Sequence, residues 1–329
     1  MDAKALSAQV CATLKAKGFQ AYLVGGCVRD ILLGRGPADY DVATDATPDI
    51  VQRIFPRSLA VGAQFGVIIV LDESSKENPA QVEVATFRSD VGYTDGRHPD
   101  RVVYATSPEE DVRRRDFTIN GLLLNPETNG VLDFVGGRND IESGVIRAIG
   151  DPTTRFSEDK LRMMRAVRFS ARFNYAIEPK TVNAVDALAA QIAQVSAERL
   201  RDELSKILTE GAARRGFELL DSTDLLPHLL PEVSRMKGVP QPPQYHPEGD
   251  VWIHTLLMLE ALPVGCSETL AWGVLLHDVG KPPTFQPAEV TGDRIRFNEH
   301  AEVGTRIAEA ICRRLRFSNA ETDQIAALV

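Results

Sequence analysis

The sequence is poor in cysteine. Its 329 residues hold four, Cys11, Cys27, Cys266 and Cys312, and no two form a CxxC pair. That scatter argues against a thiolate zinc site and a disulfide-stapled scaffold, and it predicts a cytoplasmic protein in a reducing compartment. Long apolar runs are missing too. No window reaches the ~18 consecutive apolar residues of a membrane-spanning helix, so no membrane partner is expected. The opening MDAKALSAQVCATLKAKGF carries Asp2, Lys4, Lys15 and Lys17 on an amphipathic pattern. It lacks the apolar centre of a secretion signal. Surplus positive charge is also absent. The formal net charge is −9, so nucleic acid would have to be held by a local basic surface. No internal repeat is visible.

The remainder is ordinary for a globular chain: 43% hydrophobic and 25% charged. At ~100–200 residues per domain the length suits about two domains, large enough to bury a core without disulfides or metals. Residues 1–17 read as a helix, with Leu6, Val10 and Leu14 on one side and Gly18 as the stop. AYLVGG is a short strand running into two glycines. Cys27 to Leu33 is a short helix, DYDVAT a second strand, and TPDIVQRIF a helix opened by Thr47 and Pro48. FGVIIVLD and QVEVATF are strands. Short turns as well as helices join these strands, which predicts a mixed sheet and not a doubly wound one. From about residue 150 helical spacing takes over: SEDKLRMMRAVRFSARF with Ser157 as cap, then KTVNAVDALAAQIA, SAERLRDELSKIL and AARRGFELL. VPQPPQYHP reads as a proline-rich linker. The expected fold class is α+β, with a mixed-sheet head over 1–150, an all-α neck and body over 151–238, a linker over 239–249 and a second all-α domain over 250–329. Ser318 to Glu321 reads as a capping box opening a helix, and no stop signal precedes Val329, so the chain is expected to continue beyond it.

Gly25 and Gly26 follow a strand and precede a helix, which allows close backbone approach and offers N–H groups to phosphate. Arg29, one turn in, can pair with a phosphate. Asp39 and Asp41 are two apart. On a strand they share a face, and carboxylates that close repel unless a cation such as Mg²⁺ separates them. Glu83 offers a third carboxylate from a neighbouring strand. Arg113, Arg114 and Arg115 follow the acids Glu109, Glu110 and Asp111; two can be taken up by those acids, which leaves one to point at a site.

GGxVRDxLLGxxxxDxD, RRDFTIN and DxxGG, in that order over roughly residues 20–230, resemble the class II tRNA nucleotidyltransferases, the bacterial CCA-adding enzymes with the bacterial poly(A) polymerases as sisters. The resemblance implies a polymerase-β-like head. In it Asp39 and Asp41 would hold two Mg²⁺ ions, and Gly25, Gly26, Arg29 and Arg115 would bind a triphosphate. Glu158-Asp159-x-x-Arg162-x-x-Arg165-x-x-Arg168 resembles the family's templating helix. Asp159 and Arg162 would read the Watson–Crick edge of CTP or ATP, which present an exocyclic amine beside an acceptor nitrogen; GTP and UTP invert that pattern. Arg165 and Arg168 would support the base or sugar. RSDVGYTDGRHPDRV, residues 88–102, resembles the loop that permits the switch from C to A. Ala63-Gln64 stand where the poly(A) polymerase signature has two basic residues. The implied function is addition of CCA to the 3′ end of tRNA from CTP and ATP, with A-only addition or poly(A) synthesis as alternatives. Residues 155–215 hold 12 Lys/Arg against 8 Asp/Glu, a local basic patch able to hold an acceptor stem by its phosphates. The charges of SAERLRDELSKIL could equally be surface pairs, Glu198 with Arg201 and Asp202 with Lys206.

The last region concentrates histidine: His246, His254, His277 and His300. His277-Asp278 at a helix end can both ligate one metal. With His254 upstream and Gly280-Lys281 downstream, the pattern resembles the HD phosphohydrolases. That implies His254, His277, Asp278 and a second aspartate further along as ligands of a transition metal, with His300 as a further contact; Asp323 is available for that place, but at a short spacing. The region is then either a metal-dependent phosphohydrolase that trims phosphate or 2′,3′-cyclic ends, or a tRNA-binding scaffold with a vestigial site; a hydrolase whose head only binds RNA is the competing class for the whole chain.

Overall fold

The structure, a computed structural model, describes all residues except 63–64, 73–78 and 93–100. The chain divides into two compact units, Met1–Asp159 and Lys160–Val329.

The first unit is built on a sheet. Helix α1 (Ala3–Ala16) is capped by Asp2, whose carboxylate accepts from Ala5 N, and buries Leu6, Val10 and Leu14. Next come β1 (Ala21–Val24), α2 (Gly26–Leu32), β2 (Asp41–Thr44), α3 (Pro48–Ile54), β3 (Ser58–Gly62), β4 (Val67–Leu71), β5 (Gln81–Thr86), β6 (Arg88–Val91), β7 (Arg101–Tyr104), α4 (Pro108–Arg113), β8 (Leu122–Leu124), β9 (Val131–Asp133), α5 (Gly137–Ser143) and α6 (Pro152–Glu158). Seven strands pair in the order β3-β4-β5-β2-β1-β8-β9. Only β2 with β5 is parallel within that sheet. The sheet is therefore mixed, as read from its short connections. Alternation sorts its side chains. Leu23, Val42, Val82 and Val84 pack with α1 and α3, whereas Val24, Ala43 and Leu123 pack on the other face with Phe87, Ala105 and Val112.

The second unit is helical: α7 (Leu161–Phe173), α8 (Pro179–Leu188), α9 (Ala197–Thr209), α10 (Ala213–Ser222), the short α11 (Leu226–Leu229) and α12 (Pro231–Ser234), α13 (Val251–Glu260), α14 (Glu268–Leu276), the short α15 (Lys281–Thr284) and α16 (Ala288–Thr291), α17 (His300–Arg314) and α18 (Asn319–Ala326). Helix α7 packs on α9 and α10, and α14 packs on α9, α13 and α18. Trp272 of α14 is fully buried and donates from Nε1 to Ser205 Oγ of α9 at 3.0 Å. The capping box at Ser318 and Glu321 is present.

Three local expectations change. The helix drawn from Ser157 to Phe173 is two helices. Asp151 caps the first and accepts from Thr154 N, and Asp159 ends it in an extended conformation. Ser157 lies inside α6 and is no cap. Arg201 takes its neighbour Asp202, not Glu198, and donates to the Arg316 carbonyl. The proline-rich segment is packed in part: Gln241 is only 4% exposed.

Candidate active site

Asp41 of β2 stands in register with Glu83 of the parallel strand β5. Their neighbours Val42, Val82 and Val84 turn into the α1-side core, so both carboxylates project from the opposite face. They line a cavity of about 220 Å³ with Val24, Val67, Arg114 and Arg115. Strand β2 begins at Asp41, and Asp39 precedes it as an exposed residue. The alternation nevertheless runs back through Tyr40, which is buried beside Val42. Burial first, then the charge of Glu83, pushes the Asp41 carboxyl up to about 6; Arg115 opposes the rise and Asp39 adds to it. This crowding of anionic oxygen is what a hard divalent cation relieves.

The turn before α2 is shaped for close approach. Gly25 takes φ +78°, and a Cβ there would meet Arg115 Nη1 at 3.4 Å and Asp41 Oδ2 at 3.9 Å. Guanidinium and carboxylate thus converge on Gly25, which has no side chain to block them.

The arginine run divides. Arg113 pairs with Glu109 on the surface. Arg114 and Arg115 both pair with Asp111, at 2.7 and 2.9 Å, and both line the cavity. Two of the three therefore face the site, where one was expected. Burial works to raise the Asp111 carboxyl, but Arg115 and Arg114 outweigh it and hold it below the usual range. Asp111 was legible in the sequence only as one of three acids; its spacing of three and four from the two arginines is the signal that distinguishes it.

Arg29 is turned inward. It is 4% exposed, pairs with Asp30 at 2.8 Å and donates to Asn120 Oδ1 at 2.6 Å. Asn120 in turn donates to Asp116. The guanidinium expected on a triphosphate is thus placed under the turn, where it ties α2 to the RRDFTIN segment. DxxGG also has a local meaning. Asp133 accepts from four backbone N–H groups, those of Val135, Gly136, Gly137 and Arg138. A Cβ on Gly137 would lie 2.1 Å from the Thr118 carbonyl oxygen, so the loop closes only around glycine.

Asp159 sits in the extended break after α6 and so shares no helical face with Arg162. On α7 a spacing of three falls 60° short of a turn at each step. Arg162 and Arg165 stay half-buried, but Arg168 has rotated into the interior at 6% exposure. There it pairs with Glu203 and with Glu210, and its guanidinium covers the Phe169 ring at 4.5 Å. Of the segment 88–102, β6 and β7 pair antiparallel; residues 93–100 lie outside the described residues, as do Ala63 and Gln64.

A second cluster lies in the other unit. His254 is on α13, and His277 and Asp278 follow α14. Single ligand atoms of the three lie within 4.8 Å of one another, and a second such group is His246, Glu248 and His254. His277 Nδ1 faces the Val274 carbonyl at 2.7 Å, which leaves a lone pair on Nε2 in the neutral ring. That Nε2 is buried and finds no hydrogen bond among the described residues. Asp278 Oδ2 is 3.2 Å away, close but poorly aligned. Burial works to lower the His277 pKa, but Asp278 outweighs it and raises it. A proton or a metal ion satisfies the same place, and two imidazoles with one carboxylate suit a transition metal. Lys281 donates to Asp278 at 2.8 Å and to Gln241 at 2.6 Å. His300 Nδ1 faces the Phe297 carbonyl, and neither His300 nor Asp323 joins a ligand group among the described residues. Glu248 and His246 were not singled out as ligands from sequence, because the segment read as linker.

Three family models match the chain: "Poly A polymerase head domain" over residues 21–147, "Probable RNA and SrmB- binding site of polymerase A" over 174–237 and "HD domain" over 251–329. The CCA-adding enzyme of Bacillus pumilus is 43% identical over 218 residues, covering 66% of this chain and 53% of its own. That of Lactiplantibacillus plantarum is 40% identical over 238 residues, covering 71% and 57%. The crystal structure of Bacillus stearothermophilus CCA-adding enzyme in complex with CTP superposes with a TM-score of 0.74 at 30% identity, covering 99% of this chain and 69% of that one. The fold is that of a nucleotidyltransferase head followed by helical regions that match the RNA-binding and HD family models. The chain belongs to the class II tRNA nucleotidyltransferase family, which joins bacterial CCA-adding enzymes and poly(A) polymerases. It spans about half the length of the curated relatives it matches. No helix among the described residues is long and apolar enough to cross a membrane.

Proposed function

We propose that this chain completes or repairs the 3′-CCA end of tRNA, adding C and A from CTP and ATP without a nucleic-acid template and releasing pyrophosphate. The observation that carries the reading is the in-register pair Asp41 and Glu83 in a cavity walled by Arg114 and Arg115. Carboxylates for cations and guanidiniums for phosphates meet there at one backbone turn. Asp39 and Asp41 would hold two Mg²⁺ ions, with Glu83 as the third carboxylate; the all-oxygen donor set suits that ion. When bound, such ions lower the pKa of an attacking 3′-hydroxyl and neutralise a triphosphate. Arg114 and Arg115, held by Asp111, would fix the phosphates for in-line displacement. Gly25 and Gly26 would admit the triphosphate to the backbone, and Arg29 would brace that turn from beneath. Asp159 and Arg162 would select the base, and Arg165 would support the base or sugar. The functional division would be head 1–150, body 151–238, linker 239–249 and HD domain 250–329. The free state of all four cysteines accords with action in the cytoplasm.

The test is extension of tRNA lacking its terminal residues with labelled CTP and ATP. A ladder ending after one A supports the reading. A long smear identifies poly(A) synthesis, growth only from a CC end identifies A-only addition, and no incorporation refutes all three.

For the second cluster we infer that His254, His277 and Asp278 hold a transition metal ion. Release of phosphate from 2′,3′-cyclic nucleotides with Ni²⁺ or Co²⁺ would show hydrolysis there.

A further inference from the structure

His254 belongs to two ligand groups, and one neutral imidazole cannot serve both. Its Nδ1 lies 2.7 Å from Glu248 Oε1, and its Nε2 points towards Asp278 Oδ2 at 3.9 Å. The same Glu248 oxygen is 3.0 Å from His246 Nδ1. A carboxylate can only accept, so each ring must donate to it from Nδ1. A donating Nδ1 leaves the lone pair of His254 on Nε2. Were a metal instead seated among His246, Glu248 and His254, Nδ1 would have to give up its proton, and the neutral ring would carry it on Nε2, facing Asp278. The two groups thus exclude each other through one proton.

We infer that Glu248 is a positioning residue: it fixes His254 as the Nδ1–H tautomer and so assigns the metal to His254, His277 and Asp278, leaving His246 as a hydrogen-bond partner and not a ligand. This rests on the reading of that trio as metal ligands. The arrangement repeats on His277, whose Nδ1 is committed to the Val274 carbonyl, so both rings present Nε2 to the same carboxylate. Carboxylates or carbonyls behind metal-bound imidazoles raise affinity in this way, typically by 10–100-fold.

Two measurements test it on the full chain carrying Asp41→Asn, which removes the head's competing cation site. Long-range ¹H–¹⁵N correlation of the histidines, without metal, reads the His254 tautomer. The Nδ1–H form is expected in the parent chain and in Glu248→Gln, whose amide oxygen still accepts, and the Nε2–H form in Glu248→Ala. Calorimetric titration with Co²⁺, with its visible absorption, reads the site. Glu248→Ala should weaken binding about 10–100-fold, Glu248→Gln less, His246→Ala within about threefold, and His277→Ala should abolish it. An unchanged tautomer in Glu248→Ala overturns the inference. So does unchanged Co²⁺ affinity in that variant, or binding lost in His246→Ala and kept in His277→Ala. If the parent binds no Co²⁺, the metal reading fails, and the tautomer shift alone still decides the role of Glu248.

Discussion

Asp111 accepts from Arg115 Nη2 at 2.9 Å while itself wholly buried, and its other oxygen holds Arg114. One carboxylate therefore sets the direction of both cavity guanidiniums. Removing one partner of such a buried group leaves uncompensated charge. Asp111→Asn is expected to lower the unfolding free energy at pH 7 by about 3–5 kcal/mol. The Asp111 pKa is depressed in the fold, so its contribution is present above the unfolded value of about 3.9 and is lost as pH falls through the folded one. In urea denaturation the gap between wild type and variant should close in acid. Equal stability at pH 7 contradicts this role.

Asp41 has the opposite sign. Its carboxyl is raised to about 6, so the native state binds the proton more tightly than the unfolded chain, and ionisation costs stability as pH rises from about 4 to 6. In chelator, Asp41→Asn should be more stable than wild type at pH 8, by about 1–3 kcal/mol. The two should converge below pH ~4, where both side chains are neutral. Thermal melts across pH read this directly; a less stable variant at pH 8 would show that Asp41 is satisfied without a cation.

Gly137→Ala places a methyl against the Thr118 carbonyl. Expected is a loss of about 1–3 kcal/mol or more, because the Asp133-capped loop must open. A melting temperature equal to wild type would refute the glycine requirement.

Arg162 and Arg168 should separate. Arg162→Ala is expected to relax rejection of GTP and UTP by roughly 10–100-fold, the worth of one lost polar discrimination, with the fold intact. Arg168→Ala strands Glu203 and should cost stability while leaving nucleotide preference unchanged. Misincorporation assays paired with melts distinguish them; a reversed pattern would exchange their roles.

The parts that were legible in sequence are those set by local period and caps. The β-branched run placed Glu83 on a strand beside Asp41, and Ser318 with Glu321 marked a helix start, whereas Asp39, expected on the same strand as Asp41, lies exposed just before β2. The parts that were not legible depend on partners far along the chain. Nothing near Arg29 announces Asn120, and nothing near Arg168 announces Glu203 or Glu210. The break at Asp159 was hidden because Asp151-Pro152, a better helix start than Ser157, lay six residues upstream of the expected one. Glu248 was hidden by the prolines around it, which read as linker although the segment carries two groups of the histidine cluster.

The most direct measurement of the central claim is anomalous diffraction from crystals of this chain grown with Mn²⁺ and CTP. Two Mn²⁺ peaks are predicted beside Asp39 and Asp41, with the triphosphate on Arg114 and Arg115. Density for CTP with no ion at these carboxylates, or with Asp39 and Asp41 turned to opposite sides, would contradict it.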